Sequence, residues 1–222
     1  MKRSSIAIIG VGAVGSTIAY TLLAKNSVAE IILIDVNTER CDGEVLDLAD
    51  CIGFSRTSRI YHGTYQDAKK ADIVIIAAGR AQKPSELRSA LLETNKAILK
   101  TIMEQLHGLR HDALIIIVAN PLDTLTYYAQ QWSELPHSQI FGTGTFLDSQ
   151  RLKHFLSSFT QIAVHSIESF IVGEHGESQV VAWSHTRIAG NLVEQYGITE
   201  KMKQEFSHVV KTQAYEIIKA KG

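Results

Sequence analysis

Long apolar runs are what this 222-residue sequence most plainly lacks. The longest, Ala113 to Ala119, covers seven residues, against about 20 needed to span a bilayer as a helix. That argues against a membrane partner. Cysteine is scarce: Cys41 and Cys51 stand ten apart on one expected helix. With no partner pair and no metal-ligand cluster beside them, they are expected as reduced structural thiols, and no metal site is expected. Charge of one sign is missing too. Lys and Arg total 22 against 23 Asp and Glu, and no basic stripe forms, which argues against nucleic acid as a partner. Met1-Lys2-Arg3 leads into a strand pattern with no small-residue cleavage site behind it. No leader and a cytoplasmic location are therefore expected. No internal repeat or low-complexity segment is found.

What is present is ample apolar content, 45%, and one organising stretch from Ser5 to Asp35. It reads as a strand, Ser5 to Ile9, then Gly10-Val11-Gly12-Ala13-Val14-Gly15, an apolar-periodic run to Leu23, a second strand and a terminal acid, Asp35. Gly10 permits a tight turn, Gly12 lets backbone approach a pyrophosphate, and Gly15 lets the helix pack close to the strand. The helix start offers unpaired N–H groups and a positive dipole end to phosphates. Asp35 lies twenty residues past Gly15 and can accept both hydroxyls of an adenosine ribose. A carboxylate there repels a 2′-phosphate, so the stretch predicts a dinucleotide site preferring NAD to NADP. A glycine turn that binds nothing is the plain alternative. The strand, helix and acid at their proper distances weigh against it.

Strand and helix signals go on alternating. Thr38 is expected to cap a helix running to about Ile52. Ser58 to His62 reads as a short strand and Gly63-Thr64-Tyr65 as a turn. Asp72 to Ile76 reads as a buried strand. A loop, Arg80 to Glu86, leads into a helix ending near Gly108. Ala113 to Val118 is a strand broken by Asn120-Pro121, with a helix opening at Asp123 or Thr124. Gln139 to Phe141 is the last strand of the series. Continuous apolar strands separated by helices predict a parallel sheet covered on both faces. After Thr145 the pattern changes to a helix, Leu147 to Phe159, strands at Ser166 to Val172 and Gln179 to Trp183, and a helix, Thr199 to Lys221. Its Met202, Phe206, Val209, Val210 and Ile217 are expected on one buried face. The expected class is α/β, a Rossmann-type doubly wound parallel sheet over residues 1–144 followed by an incomplete α+β catalytic domain over 145–222.

Ligands of such sheets bind at the carboxyl ends of the strands. Polar groups gather there in the Gln82 to Arg88 loop, at Asn120, in Asp148-Ser149-Gln150-Arg151 and at His175. Asp148 and Arg151, at i and i+3, share a helix face, and a surface salt bridge is the plain reading of that spacing. His175, between glycines, is on the plain reading a solvated loop histidine. An imidazole nevertheless titrates near neutrality, at about 6.5 unperturbed, which suits proton exchange.

Taken together, Ile9 to Gly15, Gln82-Lys83-Pro84-Ser85-Glu86-Leu87-Arg88, Val118 to Asp123, Leu147-Asp148-Ser149-Gln150-Arg151 and Gly173-Glu174-His175-Gly176-Glu177 resemble the lactate and malate dehydrogenase family. The likeness is closest to its bacterial L-lactate dehydrogenases and extends from Ser5 to Gly222. It implies hydride exchange between NAD and a small 2-oxo or 2-hydroxy acid. His175 is implied as proton donor and acceptor, Asp148 as the group holding its imidazole, and Arg151 as the bidentate partner of the substrate carboxylate. Arg88 is implied to polarise the substrate carbonyl from a closing loop; its plain alternative is a first-turn helix arginine, at the unfavourable helix end. Asn120 is implied to bind the reacting oxygen and the nicotinamide ribose side, and a turn asparagine before proline is its alternative. Gly10, Gly12, Val14, Gly15, Asp35, Arg40, Tyr65, Gly79, Asn120 and Thr143 match positions along the cofactor, although Tyr65 reads equally well as a partly buried aromatic. Malate-specific relatives carry arginine where this chain has Gln82. A neutral residue there suits pyruvate over oxaloacetate, whose second carboxylate would be enclosed without a cation. A homo-oligomer, the family's tetramer, is the expected assembly.

The chain departs from the family pattern in places. Ser85 replaces a common glycine, removing backbone freedom from the loop. Lys153 and Glu168 stand where many bacterial relatives hold the arginine and histidine that bind fructose 1,6-bisphosphate, so no activation by that ligand is expected. The resemblance implies further elements beyond Gly222, and hence reduced or absent turnover. Two hypotheses follow: a lactate dehydrogenase carrying most of its site, or a non-catalytic NAD-binding remnant. A dehydrogenase for malate or another small 2-hydroxy acid is the third possibility.

Overall fold

The computed structural model describes residues 4–55, 59–80 and 88–221, and of residues 88–90, 215, 218 and 221 the backbone only. The chain divides into two compact units, Met1–Gly142 and Thr143–Gly222.

The first unit alternates strand and helix. In order these are β1 (Ser5–Ile9), α1 (Ala13–Ala24), β2 (Glu30–Ile34), α2 (Thr38–Asp50), β3 (Arg59–His62), α3 (Tyr65–Ala68), β4 (Ile73–Ile76), α4 (Arg88–Gln105), β5 (Leu114–Ile117), α5 (Leu122–Trp132) and β6 (Ile140–Gly142). The strands form one parallel sheet in the order β3-β2-β1-β4-β5-β6. Both faces are buried because successive side chains point to opposite sides of a strand. Ala7, Ile9, Ile32, Ile34, Val74 and Ile76 pack with α4 and α5. Ile6, Ile8, Ile31, Leu33 and Ile75 pack with α1 and α2. The strand order reverses between β1 and β4, which opens the crevice where doubly wound sheets bind dinucleotides.

Several boundaries differ from the sequence expectation, each for a local reason. Asn37, not Thr38, caps α2: its side chain accepts from the Arg40 amide at 3.0 Å. Thr64 and Asp67 form a capping box, so the expected turn at Gly63-Thr64-Tyr65 starts a short helix instead. α5 opens at Leu122 behind Pro121, ahead of Asp123.

The second unit has α6 (Phe146–Thr160), β7 (Ile167–Glu168), β8 (Ile171–Val172), β9 (Val180–Val181), β10 (Arg187–Ile188), β11 (Asn191–Leu192) and α7 (Glu200–Lys221). Its core gathers Leu152, Leu156, Ile167, Ile171, Ile188, Val193, Ile198 and Val210. The strand expected over Ser166 to Val172 is broken in two. Ser169 is fully buried with its hydroxyl 3.2 Å from that of Thr186, and β7 and β8 then join different sheets. The β10–β11 hairpin, which turns at Ala189 and Gly190 with both at positive φ, is an element that the sequence expectation lacks. On α7, Met202, Phe206 and Val210 face the core, whereas Val209 and Ile217 are exposed. Spacing alone put all five on one face; packing engages only the i, i+4, i+8 row.

Candidate active site

The crevice in the first unit is built by glycines that touch backbone. Gly10 leaves β1 at φ +93°, and a Cβ there would lie 2.3 Å from the Ala78 amide, so the turns after β1 and β4 meet backbone to backbone. A Cβ on Gly15 would lie 1.9 Å from the Gly10 carbonyl oxygen, which is why α1 can start this close to the strand. Around the Cβ position of Gly12, by contrast, there is open space for 4 Å. Gly12 caps α1 without a side-chain hydrogen bond, and no acid stands in its first turn. Val14 is exposed beside it. The result is a helix N-terminus with amide donors and room in front of them, which fits a pyrophosphate.

Asp35 follows β2. Its Oδ2 accepts from the Val11 amide at 2.6 Å and its Oδ1 from the Asn37 amide at 2.9 Å. The carboxylate thus ties the glycine turn to the end of β2. A carboxylate offers about two acceptor sites per oxygen, so each oxygen keeps capacity for a ribose hydroxyl. Arg40 is exposed on α2. Tyr65 is half-buried against the sheet core; burial first, and the charge of Asp35 second, push its phenol above the ordinary value.

Gly79 and Asn120, after β4 and β5, are joined by a residue that sequence reading passed over. Asn95 on α4 is 2% exposed. Its Nδ2 donates to the Asn120 carbonyl at 2.7 Å and the Arg80 carbonyl at 3.1 Å, and its Oδ1 accepts from the Arg80 amide at 2.8 Å. Gln82 lies outside the described residues. Arg88 opens α4, and its side chain lies outside them too.

In the second unit, Asp148 on the first turn of α6 is 2% exposed and holds two side chains. Its Oδ1 accepts from Arg151 Nη1 at 2.9 Å and its Oδ2 lies 2.5 Å from His175 Nδ1. The plain readings of a surface salt bridge and a solvated histidine do not hold, since the side chains of Arg151 and His175 are only 14% and 25% exposed. Gly173, at φ +93°, turns the chain out of β8 toward His175. Two hydroxyls anchor that strand to α6. Ser149 Oγ accepts from the Ile171 amide at 2.9 Å and donates to the Thr145 carbonyl at 2.9 Å, while Thr145 Oγ1 donates to the Ile171 carbonyl at 2.5 Å. Thr143 begins the second unit and is exposed.

The lactate/malate dehydrogenase NAD binding domain matches residues 4–142, and the α/β C-terminal domain of the same family matches residues 145–222. The chain belongs to the lactate/malate dehydrogenase family. It is 39% identical over 227 residues to an L-lactate dehydrogenase of Clostridium perfringens, covering all of this chain and 72% of that protein. The minor L-lactate dehydrogenase of Enterococcus mundtii, solved with ligands bound, superposes with a TM-score of 0.91 at 35% identity, over 99% of this chain and 72% of that one. A malate dehydrogenase of Cryptosporidium parvum superposes with a TM-score of 0.92 at 31% identity, over 99% and 71%. This dehydrogenase therefore has NAD as its cofactor, and the open, uncapped start of α1 and the spare acceptor sites of Asp35 fit that dinucleotide. Among the described residues no group of three or more His, Cys, Asp or Glu is placed to hold a metal ion, and no helix is long and apolar enough to cross a membrane.

Asn95 and Ser149 escaped sequence reading. Asn95 sits in a helix with no motif around it. Ser149 lies within the Leu147 to Arg151 motif, but its contacts depend on a strand more than twenty residues away.

Proposed function

We propose that this chain is an NAD-dependent L-lactate dehydrogenase by descent, interconverting pyruvate and L-lactate. The observation that carries the reading is the buried Asp148 holding both His175 and Arg151. NAD supplies the hydride acceptor, or as NADH the donor, for the substrate C2 carbon. Asp148 engages Nδ1 of His175, which assigns proton exchange with the C2 oxygen to Nε2. In the reducing direction hydride goes to C2 and the His175 proton goes to the oxygen. Arg151 spends one N–H on Asp148, and a planar guanidinium has further donors for a bidentate grip on the substrate carboxylate. Arg88 is assigned the growing charge on the carbonyl oxygen, and Asn120 the same oxygen and the nicotinamide ribose side. Gly10, Gly12, Val14, Gly15, Asp35, Arg40, Tyr65, Gly79 and Thr143 are assigned to the dinucleotide.

Two assays on the 222-residue chain test this. One is pyruvate-dependent NADH oxidation; the other is NADH binding by fluorescence. His175→Asn is expected to retain NADH binding and lose most turnover. Turnover equal to the parent's would refute the role of His175. Binding without turnover in the parent itself would select the non-catalytic remnant. Oxaloacetate is the competing substrate, because malate dehydrogenases stand among the structural relatives. The neutral Gln82 favours pyruvate, and a higher kcat/KM for oxaloacetate would reverse that choice. The reading also carries a cytoplasmic location and a homo-oligomer, the family's tetramer, which light scattering tests.

A further inference from the structure

We infer that Asn95 is a positioning residue of this site: its buried amide holds the backbone of Asn120 and of Arg80 in one register, and so sets where Asn120 meets the nicotinamide end of the cofactor. The inference rests on the dehydrogenase reading above. Asn95 lies on α4, yet its buried side chain reaches away from its own helix. Among the described residues its amide makes three hydrogen bonds, all to the two loops that leave the carboxyl ends of β4 and β5. These are neighbouring strands of the sheet beside the switch point; the backbone bonding between them runs as far as the Val118 and Ala119 amides, which meet the Ile76 carbonyl at 2.9 and 3.3 Å, and the Asn95 amide ties the chain beyond it, at Arg80 and Asn120.

Gly79 supports the same conclusion. A Cβ there would lie 3.3 Å from Asn95 Nδ2 and 3.3 Å from the Ala119 Cβ. A side chain at position 79 would press on both, so glycine leaves the amide room between the two loops. An amide is also the one short side chain that meets all three demands. Its nitrogen serves two carbonyls while its oxygen serves an N–H. An aspartate is nearly the same shape but has no donor for the two carbonyls unless it is protonated.

The test compares wild type, Asn95→Ala and Asn95→Asp. NADH affinity is measured by fluorescence from pH 5.5 to 8.5, beside amide hydrogen exchange of Arg80 by NMR. In the alanine variant, Arg80 exchange is expected to rise and NADH binding to weaken about tenfold at every pH. The aspartate variant is expected to bind NADH near wild-type affinity at the acid end, where a carboxylic acid still donates to one carbonyl. Relative to wild type it then weakens as pH rises and the donor is lost. A residue that only stabilised the fold would lower the melting temperature of both variants without this pH-dependent loss of affinity. Wild-type NADH affinity in both variants across the range would overturn the assignment of Asn95. A wild-type chain with protected Arg80 that binds no NADH would overturn the dehydrogenase reading, and the role of Asn95 with it.

Discussion

Replacing Ser149 by alanine removes one oxygen and tests how the loop carrying His175 is held. The Ser149 hydroxyl accepts from the Ile171 amide at 2.9 Å, and Ile171 is 4% exposed. With alanine, that N–H is buried without its acceptor, at a cost of about 1–3 kcal/mol. The Thr145 carbonyl loses one donor but keeps the Ser149 amide at 2.9 Å, so it adds little. A net loss of about 2 kcal/mol corresponds to a melting temperature lower by roughly 8–16 °C for a unit of this size. The damage should also reach the site. Ile171 pairs with Val181 at the base of the hairpin that carries His175, and the hydroxyl clamp ties that base to the helix carrying Asp148 and Arg151. Turnover with pyruvate should therefore fall while NADH affinity, set in the first unit, stays unchanged. Ser149→Thr keeps the hydroxyl and should recover most of both losses. Thermal melts and kinetics on the three proteins decide it. A wild-type melting temperature for the alanine variant, or a threonine variant as damaged as alanine, would refute the reasoning.

Gly15→Ala drives a Cβ to 1.9 Å from the Gly10 carbonyl, a backbone atom that cannot rotate away. It should destabilise by about 2 kcal/mol or more and abolish NADH binding. Gly43→Ala, on the exposed side of α2 with open space around it, should by contrast stabilise by about 0.5–1 kcal/mol in urea unfolding. Burial first, and the charge of Asp35 second, push the Cys41 thiol up from 9.0 to about 11. Below pH 9 the thiol is protonated whether the chain is folded or not. Between pH 9 and 11 only the unfolded chain ionises, so stability falls with rising pH by on the order of 2 kcal/mol. Urea midpoints at pH 8 and 10.5 should show a slope that Cys41→Ala flattens, and iodoacetamide at pH 8 should modify the partly exposed Cys51 long before Cys41.

What the sequence determined by itself was everything encoded within a few turns of chain. The strand, glycine turn, helix and acid from Ser5 to Asp35 were legible because each demand is local: a positive φ, a close helix start, an acid at the end of the next strand. The parallel sheet followed from unbroken apolar strands. The motif around Asp148 and Arg151 was legible as spacing, but its meaning was not, since the same spacing serves an exposed ion pair. Only the tertiary structure decided that Asp148 is buried and shared with His175, because burial depends on what packs over the helix start. Only the fold could give Asp35 its second task of holding the Val11 amide, or bring Asn95 between two strand-end loops. Ser169 likewise breaks one expected strand into two sheets through a partner seventeen residues on. Periodicity reports which face of an element is apolar; hydrogen bonds between distant segments are written in no local pattern, and those are what assemble the crevice of the first unit and the Asp148 cluster of the second.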